Sequence, residues 1–229
     1  MESIYKPCAR PPGWYCLARL LFRLFARLLF CVRIVGQVSN LPGQMIVVAN
    51  HLSWIDPFLV MLALPAQPRL YFIGAQQALN RGWKAWLVRH LDMMIPFERG
   101  ALWIGKDLIR KSSAVLQSGA LLGIFPEGTL GSREGELLPL QRGVGHLLVR
   151  ECLVVLPIAL SGVQELYLGK SITITIGRPI TIHTAGLGHH QAVDAAMAQV
   201  EHAMRGLLRP YVEPPVRVKR MRFLTNLLG

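Results

Sequence analysis

Short apolar runs alternate along the chain with segments whose apolar residues recur at helical spacing. Short runs rich in β-branched residues are typical of buried strands, and they predict strands at Met45–Ala49, Leu70–Ile73, Met94–Phe97, Leu121–Phe125, Leu153–Leu160 and Ile172–Ile176. The segments between them predict helices at Pro57–Leu64, Gln76–His90, Leu102–Gln117, Arg142–Arg150 and His189–Leu208. This alternation predicts an α/β fold with a largely parallel central sheet and flanking helices.

Residues 16–35 follow a different pattern, in which arginines recur every fourth residue among leucines and phenylalanines. Arg19, Arg23 and Arg27 would lie along one face of a helix. A basic amphipathic helix of this kind is typical of segments that lie in a membrane interface. The alternative is a helix that packs on the protein's own core.

The composition favours a membrane surface as partner. Hydrophobic residues make up 52% of the chain and charged residues only 17%, with 25 Lys and Arg against 13 Asp and Glu, a net charge of +12. This apolar content excludes a disordered chain. Nucleic acid would match the charge but not the apolar excess, whereas a membrane surface matches both. No apolar stretch reaches the roughly 18 residues that a simple spanning helix needs.

Three regions are predicted: a membrane-association segment at 1–40, a central domain at 41–210 and a basic tail at 211–229. Near the boundary between the central domain and the tail, residues 205–222 carry six basic side chains and the single acid Glu213. Several prolines in this segment disfavour a helix. The tail is either solvated and loosely ordered or a second membrane contact. The four cysteines form no disulfide pattern, which indicates a reduced, cytosol-facing protein and a position on the cytoplasmic face of the cell membrane.

A histidine and an aspartate directly follow the first predicted strand of the central domain. His51 and Asp56 are five residues apart, too far around an ideal helix to touch, but they can meet across a strand–loop–helix junction. A carboxylate bound to one imidazole nitrogen leaves the other nitrogen free to act as a base. Taken alone, such a pair more often caps or packs.

Two further polar segments follow predicted strands. Glu127, Gly128 and Thr129 would suit the close approach of a polar ligand, although a simple Pro-Glu-Gly turn is the better explanation of this segment taken alone. Arg99, beside Gly100, could hold a phosphate through two parallel hydrogen bonds or pair with Glu98. The seven histidines show no metal-ligand spacing, so no metal or other cofactor is predicted.

The combination of these segments indicates a protein family more specifically than any single segment does. The order His-x4-Asp, Pro-Phe-x-Arg, Phe-Pro-Glu-Gly-Thr and Val-Leu-Pro-Ile-Ala-Leu (155–160) resembles the four motifs of the glycerolipid acyltransferase family. The bacterial 1-acyl-glycerol-3-phosphate acyltransferases are the most similar branch. The resemblance covers about residues 45–185.

The resemblance implies a role for each matching residue. His51 would be the catalytic base and Asp56 its partner. Substrate binding is implied for five residues, with phosphate contacts at the two arginines: Arg99, Glu127, Gly128, Thr129 and Arg142. The apolar block 155–160 would line the acyl side. The chain departs from the pattern at Glu98, where many members have Asp, and at 130–133, where Leu-Gly-Ser-Arg replaces Arg-Ser.

The resemblance further implies transfer of an acyl chain from acyl-CoA or acyl carrier protein to the free hydroxyl of 1-acyl-glycerol 3-phosphate (lysophosphatidic acid), which yields phosphatidic acid for phospholipid synthesis. Direct transfer is expected, because nothing marks Ser53 as a nucleophile. Three alternatives remain: another acceptor such as glycerol 3-phosphate, a lysophospholipid or an amino-lipid; a nucleic-acid-binding protein; or an inactive membrane-surface module.

Overall fold

The computed structural model describes residues 6–38, 41–75, 86–87, 90–97, 106–151, 154–215 and 218–228. One sheet of eight strands organises them. The strands are β1 (Phe30–Val35), β2 (Ile46–Ala49), β3 (Leu70–Ala75), β4 (Met94–Phe97), β5 (Leu121–Ile124), β6 (Val154–Ser161), β7 (Lys170–Ile176) and β8 (Ile180–Thr181). Their order is β1-β7-β6-β2-β5-β3-β4, with β8 also paired to β6.

Most neighbouring strands in the sheet run parallel. β6, β2, β5, β3 and β4 form a continuous parallel block. β7 and β8 are antiparallel to β6, and β1 lies parallel to β7 at the edge. The prediction of an α/β fold with a largely parallel central sheet is therefore confirmed.

Helices cover both faces of the sheet. They are α1 (Gly13–Leu29), α2 (Asp56–Ala63), α3 (Lys106–Gln117), α4 (Arg142–Glu151), α5 (His189–Leu207) and α6 (Phe223–Leu228). Side chains of α1, α2 and α6 share one apolar core with the strands, and those of α3, α4 and α5 share a second core. The three helices α1, α2 and α6 thus form one layer, which we call the α1 layer.

β2 lies in the middle of the parallel block, and all four of its residues are buried. Its neighbours are β5 on one side and β6 on the other. Chain segments that leave the carboxyl ends of central parallel strands commonly form the ligand-binding crevice of an α/β fold. The segment that begins at Asn50 leaves β2 at this position.

The N-terminal helix differs from the prediction for residues 16–35. The helix begins earlier, at Gly13, and ends at Leu29, after which residues 30–35 form β1. Phe30-Cys31-Val32-Arg33-Ile34-Val35 is a strand-forming run, and it pairs along its whole length with β7. The prediction of a continuous helix was wrong for residues 30–35. The local pattern of apolar residues gives no sign of β7, the strand with which they pair.

The arginines of α1 do not share one environment. Arg23 and Arg27 are exposed, whereas Arg19 turns inward and donates to the carbonyl oxygens of Leu62, at 3.3 Å, and Leu64 at the end of α2. Burial lowers the pKa of Arg19 from its usual value. Arg19 therefore caps α2 rather than adding to the exposed basic face.

α1 nevertheless leaves much of its apolar surface uncovered. Only Tyr15, Ala26 and Leu29 are buried, while Leu28 is 78% exposed. The other exposed apolar side chains of this helix are Trp14, Leu17, Leu20, Leu21, Leu24 and Phe25. Within the described ranges, no helix has both the length and the apolar character needed to cross a membrane.

The other predicted elements lie close to the observed ones, with two exceptions. Of the predicted helix 76–90, the structure describes only 86–87 and 90, which are helical; the rest lies outside the described residues. The described end of the tail is anchored rather than loosely ordered. Leu224 and Leu228 of α6 are buried in the core, and the Leu166 amide donates to the Thr225 hydroxyl at 2.9 Å.

Candidate active site

The turn between β2 and α2 brings His51 and Asp56 into direct contact. His51 follows β2 by two residues, and Asp56 is the first residue of α2. The His51 Nδ1 atom lies 2.9 Å from Asp56 Oδ2. The expectation that these residues meet across the strand–loop–helix junction agrees with this geometry.

Asp56 is fully buried, and its contacts fix its orientation. Besides the imidazole, Asp56 Oδ2 accepts hydrogen bonds from the backbone amides of Leu52 at 2.6 Å and Ser53 at 2.8 Å. The same turn closes through a hydrogen bond from the Asp56 amide to the Ser53 carbonyl at 3.1 Å. The carboxylate is thus held by the segment that carries the histidine.

One face of the His51 imidazole packs against a column of stacked aromatic rings. The His51 ring stacks on Phe125 with 4.1 Å between centroids and 17° between planes, and Phe125 stacks on Phe72 at 5.4 Å. Gly123 leaves the space for this column, because a Cβ at that position would lie 2.4 Å from the Phe72 ring. The side chain of His51 remains 22% exposed, so its outer edge can reach a ligand.

The contact with Asp56 determines which nitrogen of His51 is available for chemistry. A carboxylate that accepts from Nδ1–H holds the proton on that nitrogen. The lone pair then lies on Nε2, which can accept a proton from an approaching hydroxyl. The arrangement therefore provides an oriented general base.

Glu127 supports the same turn from the end of β5. Its Oε1 accepts from the His51 amide and its Oε2 from the Leu138 amide, each at 2.9 Å. Burial raises the pKa of the Glu127 carboxyl above its usual value, and these two amide contacts oppose the rise. With both oxygens bound to backbone amides, Glu127 holds the His51 backbone in place.

The loop after Glu127 lies against the His51 segment. The Gly131 amide donates to the His51 carbonyl at 2.6 Å. Gly128 has a φ of +69°, a conformation that favours glycine, and both Gly128 and Thr129 are exposed. These two residues are thus exposed on a loop fixed to the His51 segment.

Arg142 begins α4, next to a residue that contacts this loop. The amide of its neighbour Gln141 donates to the Pro126 carbonyl at 2.8 Å. The Arg142 guanidinium forms an ion pair with Asp194 at 2.8 Å, and both side chains are well exposed. Arg99, in contrast, lies outside the described residues, although β4 ends at Phe97, just before it.

Two contributors were not recognised in the sequence. The buried Asn50 side chain donates to the Leu160 carbonyl at 3.0 Å and accepts from the Leu160 amide at 2.7 Å, which joins the end of β2 to β6. The Ser53 hydroxyl donates to the Leu228 carbonyl at 3.1 Å. A lone polar residue after a strand was the only sequence signal, because both partners are more than 100 residues away along the chain.

The apolar block 155–160 forms most of β6, and its side chains are buried in the two cores. Its observed role is packing. Among the described residues, no cluster of three or more His, Cys, Asp or Glu side chains is arranged to hold a metal ion.

Comparisons with known proteins point to one family. A family model described as Acyltransferase matches residues 32–161. The 1-acyl-sn-glycerol-3-phosphate acyltransferase alpha of Bos taurus is 31% identical over 149 residues, which are 60% of this chain and 47% of that protein. The 1-acyl-sn-glycerol-3-phosphate acyltransferase of Bacillus subtilis is 24% identical over 169 residues, which are 71% of this chain and 80% of that protein.

A solved structure shares the fold. The 1-acyl-sn-glycerophosphate acyltransferase of Thermotoga maritima matches with a TM-score of 0.57 and 18% identity, over 83% of this chain and 87% of that chain. This chain spans about half the length of the mammalian relatives that it matches. The family model covers more than half of the chain, which therefore belongs to the acyltransferase family.

Proposed function

We propose that this protein transfers a fatty acyl chain from a thioester donor, acyl-CoA or acyl carrier protein, to the free hydroxyl of 1-acyl-glycerol 3-phosphate, and so forms phosphatidic acid. The observation that carries the proposal is the contact between His51 Nδ1 and the buried Asp56 carboxylate at 2.9 Å. The names of the relatives supply the acceptor.

The proposed reaction uses His51 as a base. As the acceptor hydroxyl attacks the thioester carbonyl, His51 Nε2 takes its proton, and the bound Asp56 carboxylate stabilises the imidazolium that forms. Collapse of the tetrahedral intermediate breaks the carbon–sulfur bond. The departing thiolate takes the proton from the imidazolium, which restores neutral His51.

A covalent acyl-enzyme on Ser53 has no support in the geometry. Ser53 is fully buried, and its hydroxyl donates to the Leu228 carbonyl. An attacking hydroxyl would have to be exposed and bonded to the base. Direct transfer between the two bound substrates is therefore the mechanism that we propose.

We assign acceptor binding to residues around the loop after β5 and to Arg99. Gly128 and Thr129 are exposed on a loop that is fixed to the His51 segment. Arg142 can exchange its solvent-exposed carboxylate partner for a phosphate at low cost, since exposed ion pairs contribute little. Glu127 acts on the acceptor indirectly, through the backbone of His51.

An acceptor panel tests the proposed function. We expect thioester release, measured with one acyl donor, to be fastest with 1-acyl-glycerol 3-phosphate and at least about tenfold slower with glycerol 3-phosphate or an uncharged lysolipid. The uncharged lysolipid lacks the phosphate, and loss of a charged contact removes roughly 1.5–3 kcal/mol, which corresponds to tenfold or more. Glycerol 3-phosphate keeps the phosphate but lacks the acyl chain, whose burial contributes roughly 0.8 kcal/mol for each CH₂ group. Faster transfer to another acceptor would assign the same chemistry to that substrate, and release with no acceptor at all would contradict the proposal.

We further propose that the exposed apolar face of α1 contacts a membrane surface on the cytoplasmic side. Leu21 and Leu28 are exposed on a helix without acidic residues, beside the exposed Arg23 and Arg27. Apolar and basic side chains together are the combination that binds anionic bilayers. Both the acceptor and the product of the proposed reaction reside in such bilayers.

Substitution tests this contact more cleanly than deletion, because residues 30–35 form a strand of the sheet. We expect Leu21→Ser together with Leu28→Ser to lower binding to anionic vesicles, measured by sedimentation, by about tenfold or more, since two partly exposed leucines no longer insert. Leu187→Ser, at another exposed leucine, is the matched control. If the double variant and Leu187→Ser bind the vesicles equally well, α1 is not the membrane contact.

A further inference from the structure

We infer that the C-terminal segment 218–228 is a second membrane contact, and that it forms one continuous lipid-binding surface with α1. The inference extends the membrane contact of the proposed function to a part of the chain that the four motifs do not include. Its partner is an anionic lipid bilayer.

The first support is position. Consecutive backbone amides of the loop between β6 and β7 bind both segments: Leu168 donates to the Arg220 carbonyl at 2.9 Å, and Gly169 donates to the Leu29 carbonyl at 2.7 Å. The C-terminal segment and the end of α1 therefore flank the same loop. Both α1 and α6 also belong to the α1 layer and pack into the same core.

The second support is the character of the exposed side chains. α6 buries Leu224 and Leu228 but leaves Phe223 56% and Leu227 43% exposed. The loop that binds both segments also exposes a large apolar side chain, Leu168, directly beside these backbone contacts. Two large apolar side chains of α6 are therefore left outside the core that Leu224 and Leu228 occupy.

The third support is charge. Lys219 and Arg222 pair with Glu165, whereas Arg220 is exposed and forms no ion pair with any residue of the described part of the chain. α1 adds the exposed Arg23 and Arg27. The opposite helical layer instead carries acidic residues that pair with its own bases: Asp107, Glu151, Asp194 and Glu201. Arg23, Arg27 and Arg220 thus place exposed positive charge on the same segments as the exposed apolar side chains of the α1 layer.

The surface also lies directly behind the candidate active site. The Leu228 carbonyl at the end of α6 accepts from the buried Ser53 hydroxyl, and the Ser53 amide donates to Asp56. α6 thus contacts the bilayer on one side and the His51–Asp56 turn on the other.

Vesicle sedimentation tests the inference without any measurement of acyl transfer, so its failure is distinguishable from failure of the proposed function. The double variant Phe223→Ser, Leu227→Ser should bind vesicles of phosphatidylglycerol and phosphatidylcholine about tenfold more weakly than the unaltered protein. Leu187→Ser should change binding by less than twofold. Binding of the double variant at the unaltered level, or an equal loss in Leu187→Ser, would overturn the inference.

A second variant keeps the test independent of folding in α6. Arg220→Gln changes an exposed side chain whose backbone contact stays intact. It should weaken binding to the anionic vesicles about fivefold, the equivalent of roughly 1 kcal/mol per basic residue near an anionic surface. On pure phosphatidylcholine it should match the unaltered protein. Absence of any difference on anionic vesicles would exclude Arg220 from the surface and contradict the inference.

Discussion

Replacement of His51 by alanine should lower the rate of acceptor-dependent thioester release by about 10²- to 10⁴-fold, the range that general-base catalysis contributes. The imidazole is the base in the proposed reaction, and its Nδ1 is held by the buried Asp56. Without it, no side chain on the β2–α2 turn can accept the proton of the attacking hydroxyl. Asp56 itself is fully buried, so its carboxylate is not open to the attacking hydroxyl.

The control for this variant is His183→Ala. His183 is exposed, and its backbone amide and carbonyl exchange hydrogen bonds with the Gln199 side chain. We expect it to keep the rate within twofold. His51→Ala should retain its unfolding midpoint within a few degrees and its binding to vesicles. A rate above one tenth of the unaltered enzyme in His51→Ala would remove His51 from the mechanism.

Replacement of Glu213 by glutamine should lower the free energy of unfolding by about 3 kcal/mol, because it leaves the buried Lys170 ammonium without its countercharge. Lys170 is 1% exposed and pairs with Glu213. The hydroxyls of Tyr167, at 2.6 Å, and Tyr211, at 2.7 Å, donate to the same carboxylate. For a chain of this size the loss corresponds to about 6–12 °C in Tm.

Two comparisons separate this effect from a general surface change. Glu201→Gln removes an exposed pair with Arg205 and should cost less than about 1 kcal/mol. The double variant Lys170→Met, Glu213→Gln should recover much of the stability, because an apolar side chain needs no partner in this position. Urea unfolding measures all three, and a loss below 1 kcal/mol in Glu213→Gln would show that the pair is not needed.

The effect of Glu213 also depends on pH in a defined direction. Burial acts to raise the pKa of this carboxyl, but the hydrogen bonds from Lys170, Tyr167 and Tyr211 outweigh it and lower the pKa to about 2. A lowered pKa stabilises the fold above the usual value of 4.5, and this stabilisation is lost as the pH falls toward 2. The difference between the unaltered protein and Glu213→Gln should therefore shrink between pH 4.5 and pH 2.

The fold was largely predictable where the pattern of apolar residues is local. The four residues of β2 read as a buried strand from their own sequence, as do those of β4. β1 was not predictable in this way, because its strand character depends on pairing with β7, some 140 residues away. The anchoring of the C-terminal end was missed for a similar reason: its contacts at Glu165 and Leu166 are distant in the sequence.

The candidate site shows the same division. The contact between His51 and Asp56 is set by five residues of one turn, so spacing alone could suggest it. The sequence predicts Glu127 as a substrate-binding residue but gives no sign of its contacts with the amides of His51 and Leu138, which depend on the adjacency of β5 and β2. The bonds from Asn50 to Leu160 and from Ser53 to Leu228 depend on the tertiary fold in the same way.

The pair proposed to accept the proton is confined to one short turn, whereas the residues proposed to recognise the acceptor belong to other loops and to the start of α4. Changes at exposed residues such as Thr129 and Arg142 can therefore alter which alcohol is bound, while Glu127 and Gly131 continue to hold the His51 backbone. Within one scaffold, evolution or a protein engineer can alter headgroup preference while the bond-forming step stays intact. A cell could then diversify its lipids through substitutions at the substrate-binding positions alone.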